Sequence, residues 1–437
     1  MPDNNAVPPG PHVPPGTPAP SAASGGGALA RRLGVGDAAV IGLGSMVGAG
    51  VFAVWAPAAK AAGAALLISL VLAAIVAYCN AASSAQLAAV YPVSGGTYVY
   101  GRERLGPGWG FAAGWAFVIG KTASCAAMAL TFATYAVPGP EWLRRLVALA
   151  AVVALASVNY RGITRTARLT RVLVTCTLVV LTIVVVVLVV NRPEHALTLW
   201  SGSTSPYGVL QAAGLLFFAF AGYARVATMG EEVRDPARTI PRAITIALAL
   251  TVGVYLVIGI SLLTSLGTAG IAEATAPLAV AVDSAGAGGA VPIVRIGAAL
   301  ASLGALLALI AGIGRTSLAM ARGGDLPSWL AAVHPRFQVP HHAEVALAVV
   351  VGVLVLVTDL RGVIGFSSFG VLLYYAIANA SAFTQPAEQR RFPRAVSVLG
   401  LAGCLVLAAT LPIASVVTGA IVLAIGLLGR AVIQRTR

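Results

Sequence analysis

Apolar residues in this chain run on rather than alternate. A segment such as TLVVLTIVVVVLVV, residues 177–190, offers almost no polar face at either the strand or the helix period. Runs near or above about 20 residues recur from end to end, each able to cross a hydrocarbon core about 30 Å thick as a helix. In lipid the backbone must satisfy its own hydrogen bonds, so spans are helices or a closed barrel. Continuous runs choose helices, and their length overrules the strand propensity of valine. The pattern predicts an all-α membrane protein with twelve transmembrane helices: 37–60, 64–89, 109–136, 142–159, 168–190, 207–226, 241–264, 291–319, 343–358, 363–383, 395–410 and 412–431. Asp37 is the expected N-cap of span 1, and Pro241 suits the first turn of span 7.

Two spans contain helix-breaking chemistry. In span 1, IGLGSMVGAGVFAVW places Gly42, Gly44, Gly48 and Gly50 within nine positions, and each glycine costs a helix interior about 1 kcal/mol relative to alanine. In span 6, FFAFAGYARVATMGEE carries Gly222 inside an aromatic run. The two lie five spans apart. Broken helices at matching positions of two halves point to a transporter site between inverted repeats. An odd number of spans per half inserts the second half upside down, so residues 37–190 and 207–383 are expected to form a 5+5 inverted repeat with broken helices 1 and 6. Residues 395–431 then add two C-terminal helices, within a transporter domain of residues 31–437.

Composition agrees. The 437 residues are 58% hydrophobic and 10% charged, against about 25% charged for a soluble chain. The net charge of +14 is read as the positive-inside bias of a membrane protein, not as a nucleic-acid footprint. With both termini cytoplasmic, 21 of the 28 Lys and Arg fall inside, including Arg161, Arg165, Arg168, Arg171, Arg390, Arg391 and Arg394, and 6 fall outside. A multi-pass plasma-membrane protein in this orientation is expected. Residues 1–30, rich in Pro, Gly, Ala and Ser, read as a disordered cytoplasmic tail without the apolar core of a signal peptide. Cys79, Cys125, Cys176 and Cys404 all fall within spans with no metal-like spacing. They read as small packing residues, with no covalently linked subunit and no metal.

On spacing alone GSMVGAGVF, Gly44–Phe52, supports two readings. It is either a small-xxx-small face for close helix packing or an unwound site whose freed amides favour a carboxylate. It lacks the strand and the GxGxxG of a nucleotide loop. The wider pattern resembles the amino acid–polyamine–organocation superfamily of permeases. GSMVGAGVF is similar to that family's first-span signature, and YPVSGGTYVYGRERLG (91–106) to the loop after span 2. FFAFAGYARVATMGEEVRDPARTIPRAI (217–244) is similar to span 6 and its cytoplasmic loop, and GRTSLAMARGGDLPSWLAAVHPRF (314–337) to the end of span 8. The motifs stand in the family's order over roughly residues 30–430.

The resemblance implies a substrate site. A substrate carboxylate would meet Ser45, Met46, Val47, Gly48, Ala49 and Gly50. Its ammonium would meet carbonyls around Phe218, Ala219, Ala221 and Gly222, with Phe218 and Phe220 as an aromatic gate. A zwitterion in a low-dielectric site needs donors at one end and acceptors at the other, which two facing helix breaks supply. Relatives that carry arginine have an acidic residue where Ala224 falls, so a neutral side chain is expected.

Lys121, in GWAFVIGKTASCAAM, is the one charge near mid-membrane. It lies too far from either end of span 3 to snorkel and must line a polar cavity or pair internally. It is the expected coupling residue, through a proton or the substrate carboxylate. Proton-coupled relatives often carry a lysine in span 5, between spans 1 and 8; here that position is about Thr177. Ser302, Thr316 and Ser317 leave a sodium site open, and a proton is the favoured coupling ion. Glu231, Glu232, Arg234, Asp235 and Arg238 form a charge-mixed cytoplasmic loop, either gating or simply solvated. His334, His341 and His342 read as solvated rather than metal-binding. No catalytic set lies in the spans, and no cofactor is expected. The chain reads as a secondary active transporter of a small, neutral amino acid, its partners being that substrate and the lipid bilayer. An exchanger or exporter of the same fold is the alternative. A non-transporting receptor is the reading from another class; the C-terminus directly after span 12 and the short N-terminal tail weigh against it.

Overall fold

The computed structural model describes residues 33–92, 95–162, 167–191, 195–197, 199–200, 204–227, 229 and 233–435. The predicted tail, Arg165, Glu231 and Glu232 lie outside the described residues, and of Arg168 only the backbone is described. The described chain is helical, with one isolated bridge, Leu33 to Val233.

Span 1 is three pieces: α1 Val35–Met46, α2 Gly50–Ala53 and α3 Trp55–Ala62. It is followed by α4 Leu66–Val90, a short α5 Thr97–Leu105, α6 Pro107–Ala136, α7 Glu141–Tyr160 and α8 Ala167–Val190. Span 6 is α9 Pro206–Phe220, a 3-10 turn Ala221–Tyr223 and α10 Ala224–Ala227. Then come α11 Pro236–Glu273, α12 Pro277–Ser284, α13 Val291–Arg322, α14 His341–Val357, α15 Leu360–Phe383, α16 Arg394–Thr410 and α17 Ile413–Arg435. Nine described stretches are long and apolar enough to cross a membrane, and α14 and α16 are shorter apolar helices.

Three expectations need correction. Asp37 is not the N-cap: α1 starts two residues earlier, behind Gly34. The Asp37 carboxylate sits in the first turn, reaches back to the Gly34 N–H at 3.4 Å and pairs with Arg171 at 2.9 Å. Pro241 lies inside α11, which begins at Pro236 and bends at Gly267, where φ is +65°. The stretch after span 2 holds a helix, α5, which the sequence reading took for loop. Its polar surface hides the helical period, and Gly96 and Gly106, both at positive φ, bound it.

The core runs between α1, α3, α4, α6, α9, α11, α13 and α15. The outer faces of α8, α14 and α17 are valine-, leucine- and isoleucine-rich and exposed, as lipid requires. Cys176 shares the exposed face of α8, whereas Cys79, Cys125 and Cys404 are buried.

One buried ion cluster ties three elements together. Asp325, in the turn after α13, is 3% exposed. It accepts from Tyr98 Oη of α5 at 2.8 Å and from Arg430 Nε of α17 at 2.8 Å, with Arg102 of α5 at 3.7 Å. The Arg430 guanidinium also lies over the Phe111 ring of α6. Removing one partner of such a pair leaves a buried charge uncompensated. Asp325→Ala is expected to destabilise the detergent-solubilised protein by about 3–5 kcal/mol, read as a lowered thermal midpoint. An unchanged midpoint would show that the cluster is not structural.

Candidate functional site

The breaks in spans 1 and 6 meet. Val47, Gly48 and Ala49 leave the helix between α1 and α2, and the Ala221–Tyr223 turn interrupts span 6. A Cβ on Gly222 would fall on the Ser45–Met46 peptide, and one on Gly50 would lie 2.8 Å from Ala219 Cα. Glycine is required at both positions because backbone touches backbone there. Gly44 is pressed against Val174 of α8, and Gly48 faces Ala305 of α13. Gly44 is thus a packing glycine, whereas Gly48 lies in the break and Gly50 opens the helix that follows it.

Of the expected carboxylate-binding group, Ser45 Oγ donates back to Ile41 O at 2.8 Å, and the Val47 amide donates to Leu43 O at 2.7 Å. Among the described residues, the Gly48 and Ala49 amides make no backbone hydrogen bond. Met46 is buried in the core, and its carbonyl accepts from Tyr255.

The carbonyls expected to face an ammonium each have a donor within the protein. Phe218 O accepts the Ala221 N–H. Ala219 O lies 3.0 Å from Tyr255 Oη, which is also 2.7 Å from Met46 O, so one hydroxyl on α11 bridges both breaks. Ala221 O accepts from Lys121 Nζ at 3.2 Å. Lys121 is buried, 7% exposed, and places its amino group at the C-terminal end of α9, where the helix dipole favours the charged form. It pairs internally, one of the two arrangements its depth allowed.

Aromatic side chains serve α2, just after the span 1 break. Trp55 Nε1 donates to Val51 O at 2.7 Å, and Tyr135 Oη donates to Phe52 O at 3.3 Å. Phe220 packs on Tyr255 with ring centroids 5.1 Å apart, and Phe218 is 7% exposed beside the break. Tyr255 and Tyr135 were missed by sequence reasoning. A tyrosine in a long apolar helix is a weak signal until its partner carbonyls are known to be free.

A small cavity of about 20 Å3, room for roughly one water, lies beside the span 1 break. Gly44, Val47 and Gly48 line it with Thr170, Leu173, Val174 and Thr177 of α8 and Ala301 and Ala305 of α13. The position counted to Thr177 thus falls between spans 1 and 8. Its hydroxyl donates to Leu173 O. Ser302 Oγ is buried without a hydrogen-bond partner among the described residues, and Thr316 donates to Gly312 O.

Residues expected in cytoplasmic loops are partly helical: Arg238 lies in α11, and His341 and His342 open α14. Asp235 and Arg238 approach to 3.8 Å at the surface. The rings of His334, His341 and His342 stack in sequence beside Tyr160, with centroids 5.3 and 4.2 Å apart, and no metal-holding group occurs among the described residues.

A bundle of membrane-crossing helices, two of them broken against each other in its core, defines a transporter-like membrane protein. The family model for amino acid permeases matches residues 33–429, and the chain belongs to that family. It is 58% identical over 399 residues to an uncharacterized transporter of Mycobacterium tuberculosis, covering 91% of this chain and 90% of the relative. It is 28% identical to a branched-chain amino acid permease of Bacillus subtilis (87% and 86% covered). A methylthioribose transporter of the same organism is 26% identical (83% and 81% covered). The superfamily resemblance carried by the four motifs is thereby confirmed, and the chain is a transporter rather than an enzyme.

Contact between the breaks gives a direct expectation. Gly222→Ala forces the span 6 turn off the Ser45–Met46 peptide and should cost about 1–3 kcal/mol. Tyr255→Phe leaves two buried carbonyls without their donor and should cost about 1–3 kcal/mol. Both are read as thermal midpoints in detergent; wild-type midpoints in both would mean the breaks do not bear on each other.

Proposed function

We propose that this permease is a gradient-coupled secondary active transporter of a small amino acid with a neutral side chain, working by alternating access in the plasma membrane with both termini cytoplasmic. The carrying observation is the contact of the two breaks, Val47–Ala49 and Ala221–Tyr223, in the buried core. Twelve spans arranged as two inverted five-span repeats, with α16 and α17 outside them, account for why the breaks oppose each other at this depth.

In this reading the substrate carboxylate takes the Gly48 and Ala49 amides, with Ser45, Met46, Val47 and Gly50 around it. The substrate ammonium takes carbonyls at Phe218, Ala219 and Ala221 beside Gly222. Phe218 and Phe220 close over it. Lys121 is the coupling group. The resemblance to a branched-chain amino acid permease and Ala224 in place of an acidic residue support a neutral side chain. The cavity beside Thr177 has no titratable side chain on its wall, so a coupling proton would be carried at Lys121 and not there.

A thermal-shift screen tests the substrate class. Valine, leucine and alanine should raise the midpoint, with a stabilisation of about 2.7 kcal/mol at a hundredfold excess over Kd, while arginine and spermidine should not. Stabilisation by arginine or spermidine alone would overturn the neutral assignment. Binding without counterflow in proteoliposomes would favour a receptor.

A further inference from the structure

We infer that Lys121 couples transport to protons by competing with the substrate ammonium for the Ala221 carbonyl, so that the cycle exchanges one proton against one substrate instead of carrying both together. The inference rests on the amino acid site proposed above. It follows from who occupies the three acceptors at the span 6 break. Phe218 O is held by a backbone amide, and Ala219 O by the neutral hydroxyl of Tyr255. At Ala221 O alone the donor is a cation, Lys121 Nζ at 3.2 Å. A hydroxyl can turn aside for an incoming ammonium without leaving a charge behind. The lysine ammonium cannot stay: two cations on one oxygen would stand within about 6 Å of each other in a poorly screened core.

The surroundings offer no relief. Cys125, one turn along α6, is buried and uncharged when protonated, as are the buried tyrosines of the elements around the break: Tyr223 in the span 6 turn, Tyr255 on α11, and Tyr374 and Tyr375 on α15, which packs on α6. Arg295 of α13 donates to the Tyr135 carbonyl at the C-terminal end of α6. Among the described residues no carboxylate pairs with Lys121. A protonated Lys121 therefore suits the empty site, where it caps the end of α9. A neutral Lys121 suits the loaded one, where the substrate ammonium caps it instead. The proton leaves Nζ as the substrate arrives and goes to the compartment the substrate came from. After reorientation and substrate release, Nζ takes a proton from the opposite side. With an inward proton gradient this logic exports substrate.

The test uses the wild-type protein in proteoliposomes with labelled valine, leucine and alanine, at clamped zero membrane potential. Counterflow at equal pH comes first. Its absence for all three would overturn the amino acid site itself, and the inference with it. Where counterflow occurs, an interior more acid than the exterior by about two pH units should drive accumulation of up to about a hundredfold, since each unit is a factor of ten. The reverse gradient should suppress uptake. Accumulation driven by an acid exterior, or uptake indifferent to the gradient, would overturn the competition while leaving the amino acid site intact. Lys121→Met, which removes the titrating group but keeps the stem, should lose all response of uptake to the gradient; a variant whose uptake still follows the gradient would overturn the proposal. In the wild type the apparent Kd should rise by up to about tenfold for each unit that pH falls. A flat Kd would count against the proposal even if the variant failed to fold.

Discussion

A helix cannot be interrupted inside a bilayer unless something else satisfies the backbone it frees, because unpaired amides and carbonyls have no water to turn to. That constraint organises the centre of this permease. The Tyr255 hydroxyl sits between Met46 O and Ala219 O, Trp55 and Tyr135 take carbonyls of α2, and Lys121 takes Ala221 O. Each of these donors reaches across from a neighbouring element or from the next turn. The breaks are thus part of the packing, and the helices that supply the donors are pinned to the place where the chain is locally weakest.

The same arrangement explains why glycine recurs where it does. Gly222 and Gly50 let two backbones touch, and that closeness allows one tyrosine to serve both. A side chain at either position would separate the breaks and strand their carbonyls. Flexibility and close approach, usually treated as rival explanations for glycine in a membrane helix, are here consequences of one contact.

Much of this was legible along the chain. Long apolar runs marked the membrane helices, although α11 runs five residues before and nine beyond the expected 241–264, and a glycine cluster in span 1 and the single Gly222 in span 6 marked the interruptions. Lys121 announced itself because a lysine at that depth must have a partner. What stayed hidden was pairing at long range. Nothing around Tyr255 in TVGVYLVIGI says which carbonyls it meets, and nothing in ARGGDLP says that Asp325 will gather Tyr98 and Arg430. The α5 helix was missed because its surface is polar on most sides, leaving no period to read. Asp37 and Pro241 were misplaced by a few residues because capping residues and first-turn prolines look alike until the hydrogen bonds are known.

The bridge between Leu33 and Val233, with the Arg234 amide on Leu33 O at 2.9 Å, has a mechanical meaning. It fastens the strand of chain entering the first broken helix to the strand leaving the second. The two broken spans therefore share a main-chain tie outside their breaks, one between the start of α1 and the segment that follows α10.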